Sequence, residues 1–437
     1  MTQTPRTGRG WLLRLVITFT LAQGAVSMAR PAVSYRALAL GADDRAVGLV
    51  TAVYALLPLL VAVPLGRRTD RARCTPLLAL GVALIAGGCA LSAGAGSLTA
   101  MAAWSGVMGL GHLCFVIGAQ SIVARRSAPA DRDRNFGHFT IGASLGQLLG
   151  PVAAGAVVSA GTGGRSGGSA LALVLAAAGG ALAYLTLWRL EHPGPDGSPA
   201  GPAAPGAARV PVHRILRTRG VAPGILVSLA VLSATDILTA YLPVVGEQRS
   251  VAPATVGLLL SVRAAATVAC RLVMTPLLRL CGRTLLLAST CVLGGVLCAA
   301  IALPLPVAAL APVLALLGFC LGVGQPLSMT TVVQAAPDEA RSTALALRLS
   351  GNRLGQVAAP AGAGAVAGVV GSAAPFVMLG ALLVVSAGAA LRGRGRPDAA
   401  AGEADREGAG VPGPPAAGRP RSAAPPSGEE EAPSRRC

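Results

Sequence analysis

The sequence predicts an all-α integral membrane protein in which twelve transmembrane helices form two six-helix bundles related by a parallel repeat. The composition is the first observation, because 53% of the 437 residues are hydrophobic and only 12% are charged. An ordinary soluble domain carries about twice that charged fraction. The second observation is a series of twelve apolar runs, each long enough to span a bilayer. The third is that segments of the first half of the chain recur in the second half.

The twelve runs give the expected helices, since about 20 helical residues cross the hydrocarbon core. The first run has no small-residue cleavage site and continues into Arg30-Pro31, so we expect it to remain as a helix with Arg30 at its outer end. The runs cover residues 11–29, 46–65, 75–95, 100–123, 137–160, 169–189, 221–244, 254–279, 283–303, 307–333, 343–367 and 372–391.

The arginines predict the orientation of these helices. The formal net charge is +18, and every basic residue is an arginine. Most of them lie in alternate loops, which the positive-inside rule places in the cytoplasm, so both termini are expected there. A high isoelectric point is also typical of nucleic-acid-binding proteins. Here the arginines form short clusters between apolar runs, so we expect a lipid bilayer and no nucleic acid as partner.

Two polar stretches divide the chain into segments. Residues 190–220 are rich in proline, glycine and alanine and are interpreted as a flexible cytoplasmic linker. Residues 393–437 have a similar composition without periodicity and are interpreted as a disordered cytoplasmic tail. The remaining segments are an N-terminal bundle, residues 1–189, and a C-terminal bundle, residues 221–392.

The internal repeat has a constant offset of 209 residues (351 − 142). Residues 47–49 and 256–258 share the tripeptide Val-Gly-Leu at this offset. Matches in separate helices at one register favour a parallel repeat of six helices. The longest match links the fifth and eleventh runs, where Gly142, Leu145, Gly146, Gln147 and Pro151 recur as Gly351, Leu354, Gly355, Gln356 and Pro360.

The loop between the second and third runs carries a family resemblance. It reads Gly66-Arg-Arg-Thr-Asp70-Arg71-Ala-Arg73. This resembles the cytoplasmic loop signature of the major facilitator superfamily, although that pattern has a glycine at Arg73 and a leucine at Arg68. The resemblance implies a gating loop in which Asp70 helps to latch the cytoplasmic side, where the eleventh helix begins and favours an anion. The alternative is that these arginines only fix topology.

The fifth run resembles a second signature, found in the proton-coupled exporters of that superfamily. One position departs from the pattern, with Ala154 in place of glycine. The resemblance implies a proton-coupled exporter. The alternative is a glycine-rich packing seam, because glycines at every fourth residue line one side of a helix. The matching residues are Gly137, Gly146, Gly150, Pro151 and Gly155.

Ionisable residues inside the runs are the candidates for a substrate and proton path, because burying one in a bilayer costs at least about 2.5 kcal/mol. Asp236 lies in the seventh run and Arg263 near the middle of the eighth. Burial favours a protonated carboxylate and a nearby arginine favours the ionised form. Asp236 is therefore a candidate proton-coupling residue, with a static Asp236–Arg263 pair as the alternative. The other candidates are Arg348, Asn352 and Gln356, which share one helix face, together with Gln147 and Arg30.

These observations predict a secondary active transporter, most simply one that exports small drug-like or metabolite molecules in exchange for protons by alternating access. The alternative is uptake or exchange of a small organic anion. Arginines outnumber Asp236 within the runs, and the first run has Gln23 where many drug exporters have an acid. A membrane sensor that transports nothing is a third interpretation.

We expect neither an enzyme nor a cofactor or metal site. The sequence Gly142-Ala-Ser-Leu-Gly146 matches a hydrolase motif, but it lies within a helical run rather than in a strand–turn–helix. The expected partners are a small-molecule substrate, protons and lipid. The family resemblance implies a monomeric, multi-pass protein of the bacterial plasma (inner) membrane.

Overall fold

The computed structural model describes residues 10–69, 74–127, 131–161, 164–187, 212–336 and 341–392. Within these ranges the regular structure is helical, with no strand. Three predicted features lie outside them: Asp70, Arg71 and Arg73 of the gating loop, most of the linker, and the tail. Gly66 falls within a helix.

Twelve long helices and two short ones make up the described residues. In the first half they are α1 (Gly10–Ala39), α2 (Asp44–Thr69), α3 (Cys74–Ala93), α4 (Leu98–Arg126), α5 (Arg132–Ala160) and α6 (Gly164–Leu185). The second half begins with the short α7 (Val212–Arg217), inside the predicted linker, and continues with α8 (Val221–Gln248), α9 (Pro253–Leu272), the short α10 (Met274–Cys281), α11 (Arg283–Ala302), α12 (Val307–Ala335), α13 (Arg341–Val370) and α14 (Ala374–Arg392).

Eleven helices of the described residues are long and apolar enough to cross a membrane. The twelfth long helix, α13, spans 30 residues but is not among them. It carries Arg341, Arg348 and Arg353 within its length, and these lower its apolar character. Each of the twelve predicted runs nevertheless overlaps a long helix.

Two predicted boundaries are wrong, and a proline is involved in each. Helix α1 continues through Pro31 to Ala39, so Arg30 lies inside the helix and not at its end. Pro31 is buried among close-packed neighbours, and such packing tolerates a proline within a membrane helix. The run at 254–279 is instead divided at Val273. Pro276 explains the break, because its ring conflicts with the carbonyl group four residues earlier.

Glycines allow α5 to pack closely on α1. A Cβ atom on Gly146 would lie 2.6 Å from the backbone nitrogen of Gly24, and one on Gly150 would lie 2.6 Å from the Cβ atom of Ser27. Gly142 faces α1 one turn earlier. The four-residue glycine spacing therefore forms a packing seam between these two helices.

Two helix crossings join the halves of the chain at one end of the molecule, which we call the crossed end. In each crossing a glycine near the start of one helix lies against a proline carbonyl and a second glycine near the end of another. The crossing of α9 on α5 uses Gly257, Pro151 and Gly155, and that of α2 on α13 uses Gly48, Pro360 and Gly364. The corresponding residues differ by the repeat offset, so the internal repeat appears as a pair of matched contacts.

Hydrogen bonds reinforce the crossed end. The backbone nitrogen of Ala254 donates to Ser159 Oγ at 2.9 Å, and the Tyr241 hydroxyl donates to the carbonyl oxygen of Asp44 at 2.9 Å. Both bonds connect the first half of the chain to the second. The two halves are therefore in close contact at this end.

Candidate functional site

A cavity of about 270 Å³ lies between the two halves of the chain. Helices α1, α2, α4 and α5 line it from the first half, and α8, α9, α12 and α13 from the second. Its lining extends from the buried ring of Tyr54 to Arg271, which is exposed near the end of α9. The cavity therefore opens away from the crossed end.

Asp236 links the two halves at the buried part of this cavity. Only 4% of the residue is exposed. Arg30 Nη1 donates to Asp236 Oδ1 at 2.7 Å, and Gln356 Nε2 donates to Oδ2 at 2.9 Å. Both carboxylate oxygens thus have a partner, one from each half. We call Arg30, Asp236 and Gln356 the carboxylate bridge.

The structure pairs Asp236 with Arg30, and the expected pair with Arg263 is not formed. The reason is the length of α1, which carries Arg30 past its predicted position at a helix end to the middle of the cavity wall. Charge–charge contacts of this kind depend on helix register between distant segments. Residue spacing within one half of the sequence therefore could not predict the pairing of Arg30 with Asp236.

Arg263 lines the same cavity and makes no direct side-chain contact with a polar or charged group of the described residues. It is 9% exposed, and its Nε atom is buried without a hydrogen bond. No hydrogen bond or ion pair of its guanidinium group is found among the described residues. Asp236 attracts Arg263 electrostatically but does not contact it directly, because its two oxygens bind Arg30 and Gln356. The cavity therefore contains a buried positive charge that no described residue pairs with directly.

The other charged residues of the described lining are also arginines. Arg353 Nη1 donates to Gln356 Oε1 at 2.9 Å, which connects it to the carboxylate bridge. Arg271 lies at the open side. Four arginines (Arg30, Arg263, Arg271 and Arg353) therefore face one aspartate in the described lining, so the cavity carries an excess of positive charge.

The predicted face of α13 is only partly at the cavity. Gln356 lines it, whereas Arg348 and Asn352 are buried within the second half. Arg348 Nη2 donates to Gln325 Oε1 at 3.0 Å and to the Gln325 carbonyl oxygen at 3.2 Å. This contact joins α13 to α12. Gln147, the repeat counterpart of Gln356, lines the cavity from the first half.

A polar network beside Arg30 was not predicted from the sequence. The Tyr54 hydroxyl is 2.8 Å from His112 Nδ1, and His112 Nε2 is 3.2 Å from Gln23 Oε1. Gln23 Nε2 donates to Ser27 Oγ at 3.3 Å, which leaves the Gln23 oxygen to accept from His112. This assigns the proton of a neutral His112 to Nε2, so that Nδ1 accepts from Tyr54.

The network also positions the carboxylate bridge. The Arg30 guanidinium lies over the Tyr54 ring, 5.2 Å from its centroid, an arrangement that attracts a cation to the ring. A sequence signal for it exists in α1, where Gln23, Ser27 and Arg30 are spaced by four and three residues. That spacing places them on one face of the helix.

The glycines of the fifth-helix signature have different surroundings. A Cβ atom on Gly137 would meet nothing within 4 Å. Gly146 and Gly150 pack on α1, and Gly155 lies at the crossed end. Pro151 belongs to the crossing and also lines the cavity.

No cluster of histidine, cysteine or acidic residues suited to a metal ion occurs in the part of the chain that the structure describes.

Comparisons with known proteins give one family. The family model described as Major Facilitator Superfamily matches the chain twice, at residues 15–252 and 237–425. No curated protein matches the chain by sequence.

Solved structures with a similar fold include several transporters. The nucleoside transporter NupG is 17% identical with a TM-score of 0.71, over 89% of this chain and 100% of that one. A bacterial homologue of the human lysosomal transporter Spinster, inward-facing and unoccupied, is 14% identical with a TM-score of 0.67, over 91% and 100%. A POT family transporter in complex with 5-aminolevulinic acid is 16% identical with a TM-score of 0.70, over 87% and 95%. Identities this low establish similarity of fold alone.

Proposed function

The chain belongs to the major facilitator superfamily, and from that premise we propose that it exports a small molecule in exchange for protons. Membership of the family makes it a multi-pass membrane transporter and not an enzyme. The coupling ion, the direction and the cargo are our proposal. The observation that carries it is the carboxylate bridge between the two halves.

Asp236 is proposed to bind the coupled proton. Protonation removes the negative charge of its carboxylate, and the attraction to Arg30 is then lost. Because Arg30 lies in the first half of the chain and Asp236 in the second, the proton weakens a contact that holds the halves together. A proton that binds one arrangement of the halves better than the other shifts the equilibrium between them.

The structure corresponds, in this proposal, to the inward-facing state that has released its proton. The loops at the crossed end are the arginine-poor ones, so this end is assigned to the outside and both termini to the cytoplasm. The cavity then opens to the cytoplasm. Asp236 is paired with Arg30, as an ionised carboxylate should be, and the cavity is ready to accept cargo from inside the cell.

Export is the direction favoured by the fifth-helix signature, Gly137 to Gly155. The two bundles, residues 1–189 and 221–392, are the proposed moving bodies, and Asp70 of the gating loop is the proposed cytoplasmic latch. The proposed location is the bacterial plasma membrane, with the protein as a monomer.

The test uses purified protein in vesicles that contain a trapped pH-sensitive dye. A panel of lipophilic cations and organic anions is added with and without an imposed pH gradient. Export by proton exchange predicts proton movement opposite to that of the cargo. In Asp236→Asn we expect substrate-dependent proton movement to fall at least about tenfold, because asparagine cannot bind the proton, while exchange of cargo without a pH gradient continues.

Asp43→Asn is the matched control. Asp43 Oδ1 accepts a hydrogen bond from the Ala46 nitrogen at the exposed start of α2, and asparagine is equally suited to this helix-capping position. It should therefore transport like the wild type. Full pH-gradient-driven transport by Asp236→Asn would contradict the proton role of that residue.

A further inference from the structure

Arg263 is a buried cation that forms no direct ion pair or hydrogen bond through its guanidinium group within the described residues. We propose that the cargo is a small organic anion and that Arg263 binds its negatively charged group. The proposal rests on the transport function proposed above, since it assigns a substrate class to the same cavity. It is independent of the direction of transport.

The position of Arg263 favours an external partner. An isolated charge in a low-dielectric site is unfavourable unless it is paired or hydrogen-bonded. Asp236 attracts Arg263 electrostatically, but its direct contacts are with Arg30 and Gln356. A ligand in the cavity can approach Arg263 because its side chain is part of the cavity lining.

Arginine is suited to this task. Its planar guanidinium group can donate two parallel hydrogen bonds to a carboxylate or a phosphate. The Nε atom of Arg263 is a buried donor without an acceptor, so no described protein group competes there with a ligand for this side chain. Carboxylates and phosphates are thus the two chemistries to compare.

The rest of the described lining is less suited to a cationic or a flat aromatic cargo than to an anionic one. A cation entering the cavity would meet four arginines and one aspartate whose charge is already compensated. A flat aromatic molecule could stack only on Tyr54 and His112 among the rings of the described lining. These two side chains are hydrogen-bonded to each other, and His112 is also hydrogen-bonded to Gln23, so their rings are fixed in place. An anion instead meets Arg263 together with neutral hydrogen-bonding groups such as Gln147 and Thr239.

The volume of the cavity limits the size of the anion. At about 270 Å³ it is slightly smaller than the roughly 300–1,000 Å³ of pockets that hold drug-sized ligands. The cargo should therefore be a small metabolite with one or two negative charges, and not a large lipophilic compound.

Binding is tested on the purified full chain in nanodiscs of neutral lipid, without a pH gradient. The probes are succinate and inorganic phosphate as anions and tetraphenylphosphonium as a cation. We expect an anion to raise the melting temperature of the wild type, and its affinity to fall about 10- to 150-fold in Arg263→Gln, the range expected for a hydrogen bond to a charged group. Arg263→Lys keeps the positive charge but loses the planar guanidinium group, so its anion affinity should lie between those of the wild type and Arg263→Gln. Arg217→Gln, at an exposed arginine of α7, is the matched control and should bind like the wild type.

A second measurement needs no ligand. If Arg263 has no protein partner, Arg263→Gln removes an uncompensated buried charge, and the melting temperature of the ligand-free protein should stay the same or rise. A clear decrease would show that Arg263 stabilises the fold through a protein contact and would overturn the proposal. Stabilisation by tetraphenylphosphonium with no response to either anion would also overturn it.

The outcomes separate this inference from proton coupling. Anion binding that depends on Arg263, with no proton movement in the vesicle assay, would support the inference and contradict the proposed proton exchange. Cation-driven proton movement that is lost in Asp236→Asn would do the reverse. A response to succinate but not to phosphate would identify a carboxylate as the recognised group, and the opposite response a phosphate.

Discussion

Replacing Gly257 by alanine should shift the transporter away from the state in which its crossed end is closed. Gly257 lies against the carbonyl oxygen of Pro151 and the Cα atom of Gly155. A Cβ atom at this position would overlap the Pro151 carbonyl group, so the backbones of α9 and α5 would have to separate. The crossing joins the two halves, and alternating access requires it to open.

The size of the effect follows from the overlap. Inserting a methyl group into a fully packed contact costs about 1–3 kcal/mol. The cost applies only to the arrangement in which the crossing exists, because the two helices separate when this end opens. The ratio of closed to open molecules should therefore fall about 5- to 150-fold, at about 1.4 kcal/mol for each factor of ten.

The assay measures a distance across the crossed end. Ala39, at the end of α1, and Val370, at the end of α13, are both exposed and belong to different halves. Each is changed to cysteine and spin-labelled after replacement of Cys281, the exposed free cysteine of the described residues. Pulsed electron paramagnetic resonance then reports the populations of short and long distances. The long-distance population should grow in Gly257→Ala.

Two further variants define the result. Gly137→Ala is the control, because its Cβ atom would meet nothing within 4 Å, and it should leave the distances unchanged. Gly48→Ala, at the repeat-related crossing, should act like Gly257→Ala, since its Cβ atom would lie 2.6 Å from the Pro360 carbonyl oxygen. A folded Gly257→Ala protein with wild-type distances would refute the view that the crossings hold this end closed.

Two other substitutions test the interior of the first half. Gly146→Ala should lower the free energy of unfolding by about 1–3 kcal/mol, because its Cβ atom would lie 2.6 Å from the backbone of α1. A melting temperature equal to that of the wild type would contradict the glycine packing seam between α5 and α1. Tyr54→Phe keeps the ring beside Arg30 but leaves His112 Nδ1 without its donor, at a cost of about 1–3 kcal/mol. Chemical denaturation should detect that loss, and its absence would show that another group replaces the hydroxyl.

The sequence was sufficient to place the helices but not the contacts between them. Apolar runs locate membrane helices because the bilayer sets a minimum length, and the constant offset revealed the repeat. The contacts of Gly48 and Gly257 could not be foreseen, because a glycine permits close approach without specifying the helix that approaches. The repeat nevertheless implied that the two positions would have equivalent surroundings.

In the candidate site, too, the sequence predicted the residues but not all of their contacts. The cost of burying charge identified Asp236 and Arg263, helix spacing identified Gln356, and the structure places all three around one cavity. The partner of Asp236 was assigned incorrectly because Pro31 suggested the end of a helix. A local rule for proline cannot take account of the tertiary packing that keeps α1 intact, and this packing determines the depth of Arg30.

The unpaired charge of Arg263 also makes the transporter sensitive to membrane voltage. Arg263 is the eleventh residue of α9, about 15 Å from its start, and so near the middle of a hydrocarbon core of about 30 Å. When access to the cavity changes sides, this charge passes from contact with one solution to contact with the other. A potential of 100 mV, negative inside, would then favour the inward-facing empty carrier by up to about 2.3 kcal/mol. A bound monovalent anion cancels this charge, so the loaded carrier should reorient with less dependence on voltage than the empty one.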